Sequence, residues 1–154
     1  MPDRAGWQAQ STLYADPGKL LTYENLPEAS AELVARIDAD VDRIYDQVMG
    51  RRQAEYERAE AEGRAYADAG YTGPVPPMVQ SHAAAKGWVA QVAADDILAV
   101  SAAWRTAQET LRTQRLLRKE QARNALGSAS LKAIEATWAG FVAAVRAQLG
   151  IGGA

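Results

Sequence analysis

Residues 69–98 read AGYTGPVPPMVQSHAAAKGWVAQVAADDIL. Gly70, Gly73 and the prolines Pro74, Pro76 and Pro77 stand between two long alanine-rich segments of helical spacing. Glycine and proline are the strongest local breakers of a periodic pattern, so the chain turns here. Gly70 suits the residue just past a helix, where a left-handed backbone is needed. Tyr71 through Pro77 form the corner, and a short helix over about 78–86 fits before Gly87.

Upstream of the corner, Leu33, Ile37, Val41, Ile44 and Val48 recur in steps of four, four, three and four. That spacing marks one face of a helix. A weaker stripe continues through Tyr56, Ala59, Gly63 and Tyr66. Pro27 is tolerated in a first helical turn, and Glu28 and Glu32 suit the positive end of the dipole. The pattern predicts one helix over about 28–69, with a weak point at Gly50. At 1.5 Å per residue such a helix would be ~60 Å long, which predicts an elongated shape.

Downstream, Ala93, Ile97, Val100, Trp104, Ala107 and Leu111 alternate steps of four and three, a heptad seam that predicts a second long helix over about 89–126. Gly127 ends it, and Ser128 or Ser130 is the expected cap of the last helix, about 129–149. There Leu131, Ile134, Trp138, Phe141, Val145 and Leu149 give the cleanest apolar face, and Gly150 stops the helix. The fold class predicted is therefore all-α: an elongated antiparallel bundle or hairpin of long helices, residues 28–154, behind an N-terminal extended arm, residues 1–27.

The arm carries Trp7, Tyr14 and Tyr23 around the turn Asp16-Pro17-Gly18-Lys19. Pro then Gly suits the centre of a type II turn, so the flanks STLYA and LLTY are candidates for a small hairpin. A lone hairpin is marginal in water and needs a platform, either the chain's own helices or another subunit.

Composition narrows the function. Alanine fills 33 of 154 positions, favouring helix. The net charge of −2 gives no overall attraction to nucleic acid or anionic lipid. Without cysteine there are no disulfides or thiolate metal sites, and the single His82 excludes a multi-histidine zinc site. No run approaches the ~18 apolar residues of a membrane span. Residues 28–48 carry a net −4 and residues 105–123 a net +4, which favours pairing of the two long helices. The arginines Arg112, Arg115 and Arg118 offer a phosphate-binding face, a salt-bridge face towards a partner, or a solvated surface. Stacking rings are absent from that run, which argues against single-stranded nucleic acid.

Asp95 and Asp96 are adjacent on a helix and point about 100° apart, so they make no carboxylate dyad. They lie where acid is expected at a helix start. His82 has no partner nearby in sequence. No nucleophile–base–orienter set is visible, and the reading is a non-enzyme with no catalytic, cofactor or metal site. Trp104 and Trp138 fall on apolar stripes as core. Trp88 staples the corner or anchors a partner. Tryptophan and tyrosine dominate interface hot spots, so Trp7, Tyr14 and Tyr23 are the leading partner-binding candidates, followed by Arg112, Arg115 and Arg118.

The run R-x-x-E-Y-x-x-A-E (Arg52 to Glu60), then AGYTGPVPP, a short piece ending in KGW, AADDIL, W-R-x-A and R-x-x-R-L-x-x-K-E, resembles small proteins and C-terminal segments encoded among the tail and tail-fibre genes of tailed bacteriophages and prophages. The likeness covers about residues 36–126 and is one of texture and short motifs. It implies a virion tail component, made in the host cytoplasm, or alternatively a fibre-assembly chaperone left out of the virion. It further implies other phage structural proteins as partners, with no enzyme activity and no cofactor, while the net charge and the lack of an apolar span predict neither nucleic acid nor membrane as a partner. On this view the corner is structural, with Tyr71 and Trp88 packing it. Alanine-rich faces bury little area each, so a homo-oligomer is expected.

Overall fold

The computed structural model describes residues 25–152. The predicted hairpin and the anchors Trp7, Tyr14 and Tyr23 lie outside the described residues. Among the described residues five α-helices follow one another: α1 (Leu26–Val48), α2 (Gln53–Asp68), α3 (Pro77–Lys86), α4 (Ala90–Arg123) and α5 (Ser128–Leu149), with a 3-10 turn at Gly50–Arg52. The protein is all-α, with no strand among the described residues. It divides into two compact units. One holds α1, α4 from Thr110 onward, and α5; the other spans Met49–Glu109.

In the first unit the α1 stripe is buried as its spacing requires: Leu33, Ile37 and Ile44 are fully enclosed and Val41 nearly so. Burying each such side chain stabilises by about 1.5–3 kcal/mol. Across from it lie Leu111 and Ala122 of α4 and Leu131, Trp138 and Val145 of α5, all buried. Polar pairs fix the helix directions. Ser30 Oγ donates to the Ala122 carbonyl at 2.6 Å, and Asp38 meets Lys119 at 2.6 Å and Arg115 at 3.2 Å. Partner numbers fall as α1 advances, so α1 and α4 are antiparallel, the pairing that their opposite charges favour. Arg36–Glu135, Asp40–Trp138 and Gln47–Arg146 rise together, so α1 and α5 run parallel.

The second unit sets α2 and α3 on the first half of α4. Tyr66, Val79, Ala83, Ala93, Ala94 and Ile97 form its core. Gly63 faces Ile97 and Leu98 closely, and Glu60 pairs with Arg105, so α2 and α4 are antiparallel.

Several boundaries depart from the sequence reading. The expected helix 28–69 is two helices, because Gly50 takes a left-handed backbone (φ +54) that no continuing α-helix accommodates. A side chain at Asn25, rather than an acidic first turn alone, starts α1: its Oδ1 accepts the Glu28 N–H at 3.3 Å. α4 ends at Arg123 instead of 126, where Ala125 N–H shifts to the tighter i−3 acceptor, Ala122 O. Neither Ser128 nor Ser130 caps α5. The cap position is Gly127, and no side chain bonds to it. Finally, Val100 leaves the predicted seam for the surface, while Ala93, Ile97, Trp104 and Leu111 keep it. The buried face of α4 turns through Ala94 towards Gly63, carrying Val100 away from the core.

Candidate partner-binding surfaces

The corner of residues 69–98 is built by capping. Pro77 opens α3 with its fixed φ, where its missing N–H costs nothing. Gly87 closes α3 in the left-handed region, and the Trp88 N–H returns to Ala83 O at 3.0 Å. Tyr71 holds φ +58, sparsely populated for a residue with a Cβ. Its ring packs edge-on against Tyr66 with centroids 5.7 Å apart. Its hydroxyl donates to Asp95. That hydrogen bond, with a smaller contribution from desolvation, pushes the phenol above its ordinary pKa.

Beside it, His82 Nε2 lies 2.9 Å from Asp96 Oδ2, where the ring N–H donates to the carboxylate. The imidazole meets Trp88 edge-on at 6.0 Å, and Lys86 Nζ sits 5.6 Å from the same indole. The two adjacent aspartates thus do separate work, Asp95 tying the corner and Asp96 tying α3. The neighbouring Ser81 hydroxyl donates to Met78 O at 3.1 Å and does not join the His–Asp pair. This arrangement staples α3 to α4 and leaves Trp88 at the surface. Local sequence offers His82 no partner, because the pairing spans 14 residues and needs the turn at Gly87 to close it.

From this corner an apolar ridge runs along the outside of α4. Val89, Val92 and Val100 are 69%, 47% and 61% exposed, with Trp88 beside them at 40%. Val92 and Val100, eight residues apart, fall on one side of α4 with the exposed Ala99 and Ala103, and Val89 stands just before the helix; Asp96, four residues from each of the two valines, lies between them. Small and β-branched side chains there allow a second helix to approach closely.

The arginine face belongs to the first unit. Arg115 is engaged within the chain, sharing Asp38 with Lys119. Arg118 donates from Nε to Gln114 at 3.2 Å and from Nη1 to Gln121 at 3.0 Å. Arg112 is exposed. Of the three predicted residues, the structure therefore leaves Arg112 most open to a partner.

Between α1 and α5 runs a buried polar seam that the stripes did not reveal. Trp138 Nε1 donates to Asp40 Oδ2 at 2.8 Å, and Arg36 meets Glu135 at 3.0 Å. Burial raises the Asp40 pKa, against the opposing pull of the Trp138 hydrogen bond and of Arg43, Arg36 and Arg146. Burial likewise pushes the Glu135 carboxyl up, even with Arg36 in contact. A helical repeat of Glu32, Arg36 and Asp40, each four apart and buried beside the apolar stripe, is the signal that marks this seam.

Among the described residues no cluster of three or more histidines and carboxylates is arranged to hold a metal, and no helix is long and apolar enough to cross a membrane. No protein-family model, curated protein or solved structure matches the chain.

Proposed function

We propose that the chain is an assembly subunit acting through protein–protein contacts, and that its particle is a bacteriophage virion, at the tail or the tail-fibre attachment. The observation that carries the first part is the exposed ridge of Val89, Val92 and Val100 with Trp88 at its head. Exposed apolar side chains grouped on one side of a helix mark interaction sites, and an exposed aromatic beside them supplies a hot-spot anchor. The occupant of the ridge is a second copy of this chain, packed helix against helix. The particle is supplied by the resemblance of residues 36–126 to tail and tail-fibre gene products, and the arm residues Trp7 and Tyr14 serve as further anchors towards neighbours.

The test is the double variant Val92→Glu/Val100→Glu. Both side chains are at the surface, so helical circular dichroism and melting should hold. Two buried charges at the contact should weaken self-association at least ~100-fold in sedimentation equilibrium. Unchanged association would remove the ridge from the interface. Mass spectrometry of purified particles then separates a retained subunit from an assembly chaperone, which would be absent.

A further inference from the structure

Leu26, next to the first described residue Asn25, lines an open groove of about 490 Å³ in the first unit. Leu26, Ala31 and Val34 of α1 form one wall and Ala125 the other. Ser30 also lines it, but its hydroxyl already donates to Ala122 O, so it presents little polarity to an occupant. Arg123 lines the groove as well, its half-exposed guanidinium 3.6 Å from Glu120. The lining therefore suits apolar side chains and a carboxylate.

The 24 residues before Asn25 end in Leu20-Leu21-Thr22-Tyr23-Glu24, which offers that chemistry. We propose that the groove seats Leu21 and Tyr23 of the same chain, with the Glu24 carboxylate beside Arg123. The tether selects this occupant. Residues 20–24 cannot lie more than about 17 Å from Asn25 at the reach of an extended chain. A short tether of that kind gives an effective concentration in the millimolar range, which no free segment matches. The inference rests on the reading of residues 1–27 as a docking arm and revises it at Tyr23, which it seats on the chain's own helices: seating the root fixes where the arm leaves the helices and leaves Trp7 and Tyr14 for a neighbour.

Trypsin separates the possibilities, because Lys19 lies directly before the proposed seat and Arg4 far from it. In the full chain, cleavage after Lys19 should be about tenfold slower than after Arg4, since cleavage follows the open population. Leu21→Ser/Tyr23→Ser should remove the protection while Arg4 cleavage stays the same. Ala31→Trp, which fills the groove from the other side, should do likewise; if that variant fails to fold by circular dichroism, the arm variant decides. Equal cleavage at both sites in the wild-type chain overturns the proposal. Protection that grows with protein concentration also overturns it, by making the occupant a second copy's segment. Deleting residues 1–14 tests the arm reading separately, because it removes Trp7 and Tyr14 while Lys19, the four residues before it and the proposed seat stay in place. Loss of particle assembly with intact helices and continued protection at Lys19 supports both readings. Normal assembly of the truncated chain overturns the arm reading and leaves the seat to the trypsin result.

Discussion

Replacing Trp138 by Phe removes one donor from a carboxylate that has little water to turn to. Trp138 is 1% exposed and Asp40 is 7% exposed, and the indole N–H donates to Asp40 Oδ2 at 2.8 Å. A hydrogen bond to a charged group is worth about 1.5–3 kcal/mol. Trimming the fused ring also opens a small void, at roughly 1–2 kcal/mol for a partial large-to-small change. Trp138→Phe should therefore cost about 2.5–5 kcal/mol in urea unfolding followed by helical circular dichroism. In an Asp40→Ala background the same change should cost only the packing part, leaving a coupling of about 1.5–3 kcal/mol in the double-mutant cycle. The pH dependence supplies a second check. Asp40 has a folded pKa above its unfolded value of 3.8, so the folded state binds the proton more tightly. Its destabilising contribution is absent when both states are protonated and develops as pH rises from about 3.8 through the raised folded value. Trp138→Phe removes a cause that lowers this pKa, so the loss of stability with rising pH should extend to higher pH. A coupling below about 0.5 kcal/mol, with an unchanged pH profile, would refute the reasoning.

Two alanine substitutions should act with opposite sign. Gly63→Ala places a Cβ 3.6 Å from Ile97 Cγ2 and 3.7 Å from Ala94 O, ordinary contact distances within a helix, and should stabilise by up to ~1 kcal/mol in thermal or urea unfolding. Gly50→Ala meets no atom within 4 Å but must hold φ +54, and should destabilise by roughly 1–2 kcal/mol in the same assay. A loss at Gly63 would mean that the α2–α4 approach is tighter than its distances state.

Spacing and composition alone determined that the protein is helical, and they located the elements. Residues that face a core must recur at the helical period whatever they face, so Leu33, Ile37, Val41 and Ile44, or Leu131, Trp138 and Val145, declare themselves without a partner being known. The stops at Gly70, Gly87 and Gly150 are legible for a similar reason: a left-handed backbone is a local demand that glycine meets. Gly50 shows the limit, since a glycine inside a periodic pattern reads as a tolerated weak point until the backbone is seen to break there. The heptad seam of α4 shows another. One helix serves two units, and the direction from which α2 and α3 approach decided that Val100 faces outward, so the candidate interface came from tertiary structure. The same holds for His82 with Asp96, Asp40 with Trp138 and Asp38 with Lys119. Each joins side chains 14 to 98 residues apart, and a one-dimensional period carries no record of which faces meet.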